Sequence, residues 1–83
     1  METPPELEAA AGERGDVVIT NREYDDESVI AVDFGSVAGE PSVDVVGETA
    51  IVVVDGRQLE FDVPAGADEV TLNDGILTIR KES

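Results

Sequence analysis

Cysteine and histidine are both missing from this 83-residue chain. Without cysteine there is no disulfide to staple a small core, and no thiolate or zinc–thiolate chemistry. Without histidine, the commonest general base and metal ligand is gone. Aromatics are scarce, with no Trp, one Tyr and two Phe, so any core is built from small aliphatic groups. Positive charge is scarcer still. Five Lys and Arg face 20 Asp and Glu, for a net charge of −15, and only Arg80 and Lys81 are adjacent. A phosphate-backbone partner needs a basic patch, and this composition excludes one. Long apolar runs are absent as well, so no segment has the length to span a bilayer. Residues 1–6 (METPPE) lack the basic and apolar regions of a signal peptide. The expectation is a soluble cytoplasmic protein with no membrane partner.

What is present is acid and β-branched aliphatics. An acidic chain poor in aromatics fits disorder, but Val and Ile recur here in ordered alternation, which disordered chains lack. The alternative is a halophilic protein, whose acidic surface keeps it hydrated in concentrated salt. The alternation favours that second reading. At this length there is room for one domain, and a chain this short buries only about 60–65% of its unfolded surface.

Residues 1–15 read as a flexible acidic tail. Glu6-Leu7-Glu8-Ala9-Ala10-Ala11 has the makings of one or two helical turns, opened by the Pro4-Pro5 pair and closed by Gly12. A helix that short is marginal without tertiary contacts. Residues 16–83 form the domain proper. Val17-Val18-Ile19-Thr20 begins a strand reaching to Tyr24, and Asp25-Asp26-Glu27 is a polar turn. Residues 28–34 alternate as a second strand, and residues 35–41, with Gly35, Gly39 and Pro41, are a loop. Residues 42–46 alternate, Gly47-Glu48 turns the chain, and residues 49–54 form the most apolar strand, suited to the centre of a sheet. Asp55-Gly56 is a hairpin signal, because Gly accepts the positive φ of a type I′ turn. Residues 58–63 alternate, residues 64–67 are a loop, and residues 69–72 are a short strand. Asn73-Asp74-Gly75 is a second tight turn, and residues 76–80 are the last strand.

Seven short strands with no helical period after residue 15 point to an all-β, immunoglobulin-like antiparallel sandwich. The expected core is Val17, Ile19, Ile30, Val32, Val43, Val45, Ile51, Val53, Leu59, Phe61, Val63, Leu72, Leu77 and Ile79. Each such side chain contributes about 1.5–3 kcal/mol when buried.

Phe61-Asp62-Val63-Pro64, a loop, and then Val70-Thr71-Leu72-Asn73-Asp74-Gly75-Ile76-Leu77-Thr78-Ile79 resemble the closing signature of the alpha-crystallin domain of small heat-shock proteins. In that family a strand ends in an apolar residue plus Pro, and two strands meet at a turn reading G-[IV]-L-[TV]-[IV]. Upstream, Asp26 to Gly35 is similar to the family's segment that ends in a Leu-Pro-Gly turn, here without the Pro. Residues 42–46 followed by 49–54 resemble the next hairpin. The resemblance spans roughly residues 17–81, and it rests on the order and spacing of motifs that are individually common.

There are departures. Asp55-Gly56-Arg57 stands where the family has a long loop with an extra strand that builds the dimer, so that mode of dimerisation is not expected. Leu59 occupies a position where the family commonly has arginine. The family's C-terminal I-x-I docking motif has no counterpart in the chain as it reaches Ser83, since Ile76-Leu77-Thr78-Ile79 lies within the last strand. The implied state is a monomer or small oligomer.

The resemblance implies a groove for apolar polypeptide segments between the strands at 42–46 and 69–72, lined by Val43, Val45, Val70 and Leu72. Physically, an edge strand with an apolar stripe meets the requirement for β-augmentation. Asp44 and Glu69 are placed to protect such edges, and an ordinary core role for the four residues is the competing reading. Two acidic clusters, Asp25-Asp26-Glu27 and Asn73-Asp74-Gly75 with Asp68, lack the ligand spacing of a calcium loop and read as solvated turns. Gly35-Ser36 is no nucleophile elbow, because the G-x-S-x-G frame and a histidine are both missing. No glycine loop of the P-loop kind is present. No enzyme, cofactor or metal is expected.

By fold-level analogy, the function implied is an ATP-independent, chaperone-like module that binds unfolded polypeptides. The alternative is a non-enzymatic adaptor dedicated to one partner polypeptide, and a third class, an acidic cation buffer, fails on ligand spacing.

Overall fold

All seven expected strands are present in the computed structural model, which describes residues 1–13, 17–35, 40–54 and 56–82. In chain order the elements are α1 (Pro5–Glu13), β1 (Val18–Glu23), β2 (Glu27–Asp33), β3 (Ser42–Val46), β4 (Thr49–Val54), β5 (Arg57–Asp62), β6 (Glu69–Asn73) and β7 (Ile76–Glu82). They make a two-layer antiparallel β-sandwich. One sheet has the order β1-β2-β7-β6 and the other β3-β4-β5.

Turn chemistry sets the registers. At Asp74-Gly75 both central residues have positive φ, 53° and 77°, as a type I′ hairpin requires, and Asn73 pairs with Ile76. Gly47, at φ 62°, takes the first central position of the turn that pairs Val46 with Thr49. The expected Asp55-Gly56 turn is described only at Gly56, since Asp55 lies outside the described residues, but the flanking pair Val54↔Arg57 is in place. Residues 36–39 of the expected loop likewise lie outside them.

Partners facing each other across an antiparallel ladder share a sheet face. The inward rows of the four-stranded sheet are Val32 with Leu77 and Ile30 with Ile79, flanked on β6 by Leu72 and Val70. In the other sheet, Val52 stands opposite Val43 and Leu59, and Ala50 opposite Val45 and Phe61. Leu7, Val17, Ile30, Val32, Phe34, Ala50, Val52, Val54, Phe61, Leu77 and Ile79 form one buried cluster.

The core differs from expectation among the strands, where it also takes in Phe34 just beyond β2, and at the N-terminus. On β4 the buried residues are Ala50, Val52 and Val54, whereas Val53 is 39% exposed and Ile51 only partly buried. Thr49 to Val54 is apolar on both faces, so its own sequence does not say which face turns inward. Pairing with β5, whose Leu59 and Phe61 must face the core, decides it. Val45, expected in the core, is 45% exposed because β3 is an edge strand.

The second difference is at the N-terminus. The segment read as a flexible tail forms the nine-residue helix α1, with Leu7 and Ala10 buried. Pro5 at the first helical position suits its fixed φ, and Glu6 and Glu8 in the first turn suit the helix dipole. Pro4, Leu7, Ala10 and the half-buried Ala11 lie three or four residues apart, which places them on one face. That face supplies the tertiary contact that an isolated helix of this length lacks.

Candidate functional site

A sandwich of two small sheets has two long sides where edge strands meet, and the chain treats them differently. On one side run β1 and β5, with α1 lying across both. The Asp62 backbone N–H, at the β5 edge, donates to Glu6 Oε2 at 3.3 Å. On β1, Asn21 Nδ2 donates to the Met1 carbonyl at 2.7 Å and to Thr3 Oγ1 at 3.0 Å. The Met1 ammonium donates to Glu23 Oε1 and, with Lys81 contributing less, holds that carboxyl below its ordinary pKa. Leu7 then fills the space between the sheets. This side is plugged.

On the other side β3 lies against β6, and each is the outermost strand of its sheet. Among the described residues no backbone hydrogen bond reaches β3 from its outer side. All four sequence-derived groove residues lie here. Val43, Val70 and Leu72 are half-buried and packed against the core. Val45 shares the inward face with Val43 but stays open to solvent. The structure therefore gathers the four residues along one seam, with three of them also serving the core. β6 alternates cleanly, with Glu69, Thr71 and Asn73 exposed between Val70 and Leu72. Burying the uncovered apolar area of such a seam is worth about 25 cal/mol per Å². A strand laid along β3 would also satisfy its free N–H and C=O groups.

The acidic clusters behave as turns. Asp25 and Asp26 are exposed between β1 and β2, where the Tyr24 N–H donates to the Glu27 carbonyl at 2.7 Å, and Glu27 pairs with Arg80 at 3.6 Å. Asp68 is not brought to Asn73 and Asp74. It sits at the far end of β6, roughly 15 Å away at the rise of a strand, where its Oδ2 accepts from the Glu82 N–H at 2.7 Å. Among the described residues no three acidic side chains converge to hold a metal. Ser36 lies outside the described residues.

Two features were missed in the sequence. One is the plug, whose signal was the spacing of Pro4, Leu7, Ala10 and Ala11. Beside it opens a cleft of about 480 Å³ bordered by Thr3, Pro4, Val63, Pro64 and Lys81. Glu2, Glu6 and Asp62 surround its single lysine, so it offers no coherent charge to a ligand. The other is the outer face of the three-stranded sheet, where Val46 and Val53 are exposed. No described helix is long and apolar enough to cross a membrane.

A family model described as "Family of unknown function (DUF7127)" matches residues 1–81. No curated protein and no solved structure matches the chain.

Proposed function

The chain belongs to DUF7127, a family whose function is unknown, and from its own surface we propose that it is a non-enzymatic polypeptide-binding module. It acts without ATP, and it receives extended apolar segments along the seam between β3 and β6. One observation carries this reading: the β1/β5 side of the sandwich is closed by α1, while the β3/β6 side keeps a half-buried apolar row and a free strand edge. Natural proteins cover or blunt such edges, and here the only blunting device on β3 itself is Asp44. The residues that resemble the small heat-shock family's groove, Val43, Val45, Val70 and Leu72, are the residues of this seam. That coincidence supports a chaperone-like role, in which aggregation-prone segments are held until they refold.

The second reading, an adaptor for a single partner, draws on the tight Val54↔Arg57 connection. The family resembled carries a dimer-building loop at that point. Without it, each chain offers one seam, which suits one-to-one recognition better than a multivalent holdase.

Heating an aggregation-prone client with a molar excess of the chain in molar KCl separates the two. Suppressed light scattering, lost in Val45→Asp and in Leu72→Asp variants that remain folded by circular dichroism, supports the holdase. No suppression together with one stoichiometric partner, lost in the same variants, supports the adaptor. Suppression or capture that both variants retain overturns the seam as the binding surface.

A further inference from the structure

Binding at the seam is selective for sign as well as for apolarity, and this inference rests on the reading just given. The two strand edges and their flanks carry Glu40, Asp44, Glu48, Asp68, Glu69 and Asp74, and no cation. No described cation lies on β3 or β6: Arg22 is on β1, Arg57 on β5, and Arg80 and Lys81 on β7, where Arg80 stands opposite Glu69 and leaves Asp44 without a cationic partner in its row. Asp44 has the deciding position. It is exposed at the midpoint of β3, between Val43 and Val45, which face the other way. On the outer face it stands in one row with Ile51 and then Glu60.

A strand added to the free edge of β3 places one side chain directly opposite Asp44, about 4.5–5.5 Å away between Cβ atoms. Its two neighbours point inward, against Val43 and Val45. Opposite charges in such a cross-strand pair stabilise it and like charges oppose it. The field of a chain with net charge −15 acts in the same direction by steering cationic segments inward. A second copy of this chain fits badly. Antiparallel pairing of two β3 edges brings Asp44 towards Asp44, and both partners carry the same excess of acid.

We infer that the occupant of the β3 edge is an extended segment of alternating apolar and basic residues, whose central Lys or Arg pairs with Asp44 between two apolar side chains seated on Val43 and Val45.

The probes are three short synthetic peptides of equal length. One has lysine between two valines, one has glutamate there, and one has threonine there with lysines moved to the ends to keep the total charge of the first. Affinities and amide chemical shifts are measured at the lowest KCl concentration that keeps the chain folded, and again in molar KCl. The expected result is that the central-lysine peptide binds about two- to fivefold more tightly than the threonine control and more tightly still than the glutamate peptide. Shifts should concentrate on β3, and the differences should shrink in molar salt as screening shortens. Asp44→Lys, a substitution at an exposed position, should reverse the order of the lysine and glutamate peptides.

Equal affinity for all three peptides, with binding still lost in Val45→Asp, overturns the charge selection and leaves the seam reading standing. Binding to none of them overturns both. A preference that survives Asp44→Lys, shifts centred away from β3, or self-association through β3 in sedimentation each overturns the assignment to this edge.

Discussion

Val52 and Val53 are neighbours in the sequence and opposites in the structure. Val52 is fully buried between Val43 and Leu59, while Val53 is 39% exposed on the outer face. Val52→Ala should therefore cost about 1–3 kcal/mol, and Val53→Ala should stay within about 0.5 kcal/mol. Urea unfolding of the two variants in molar KCl checks the register, and the reverse order would mean that β4 is turned over. The strand's own residues do not encode this difference, because Thr49 to Val54 offers an apolar group to either face. The hairpin encodes it. A two-residue turn that pairs Val54 with Arg57 leaves Val52 opposite Leu59 and Ala50 opposite Phe61, and the alternation of β5 puts Leu59 and Phe61 inside. The burial of Val54 and Ala50 follows from the same parity. Phe34 was missed for a different reason. It lies just beyond β2, where its N–H donates to the Gly75 carbonyl at 3.0 Å, a contact between segments far apart in sequence.

At the level of elements, the strands were the most legible part. β3 and β4 begin and end where alternation meets Gly47-Glu48 and residues 55–56, because turn residues needing positive φ punctuate the chain sharply. The groove candidates were not read from the strands themselves but from the family resemblance, and the two strands that carry them, β3 and β6, lie at the edges of their sheets. α1 was legible only as one or two marginal turns within a flexible tail, not as a nine-residue docked helix. Six residues of weak amphipathicity do not reveal that a gap between β1 and β5 awaits them. Its attachment predicts that Leu7→Ala costs about 2–5 kcal/mol, measured by urea unfolding, whereas Ala9→Ser on the exposed face changes stability by less than about 0.5 kcal/mol. If the two substitutions cost the same, the helix is not packed on the sandwich.

For the molecule as a whole, the net charge of −15 predicts a fold that strengthens with salt. Among the described residues no charged or polar side chain is buried, so their acids lie at the surface and their mutual repulsion is open to screening. The Debye length falls from about 10 Å at 0.1 M to about 3 Å at 1 M salt. Circular dichroism should show strand content that strengthens from dilute buffer to molar KCl, with the urea midpoint rising in parallel. Spectra and midpoints that do not change across that range would show that repulsion is not what limits this fold.

The two sheets are assembled from very different stretches of chain. β3, β4 and β5 follow one another directly, so their ladders close over a few residues each. The β2–β7 ladder, by contrast, pairs Glu27 with Glu82 and Asp33 with Ile76, and β7 lies in the interior of its sheet. During synthesis the meander of Ser42–Val46, Thr49–Val54 and Arg57–Asp62 can pair early. The larger sheet has no centre until β7 leaves the ribosome. Until then Ile30 and Val32 have no Leu77 or Ile79 to meet, so the arrival of β7 converts a half-built layer into a folded sandwich.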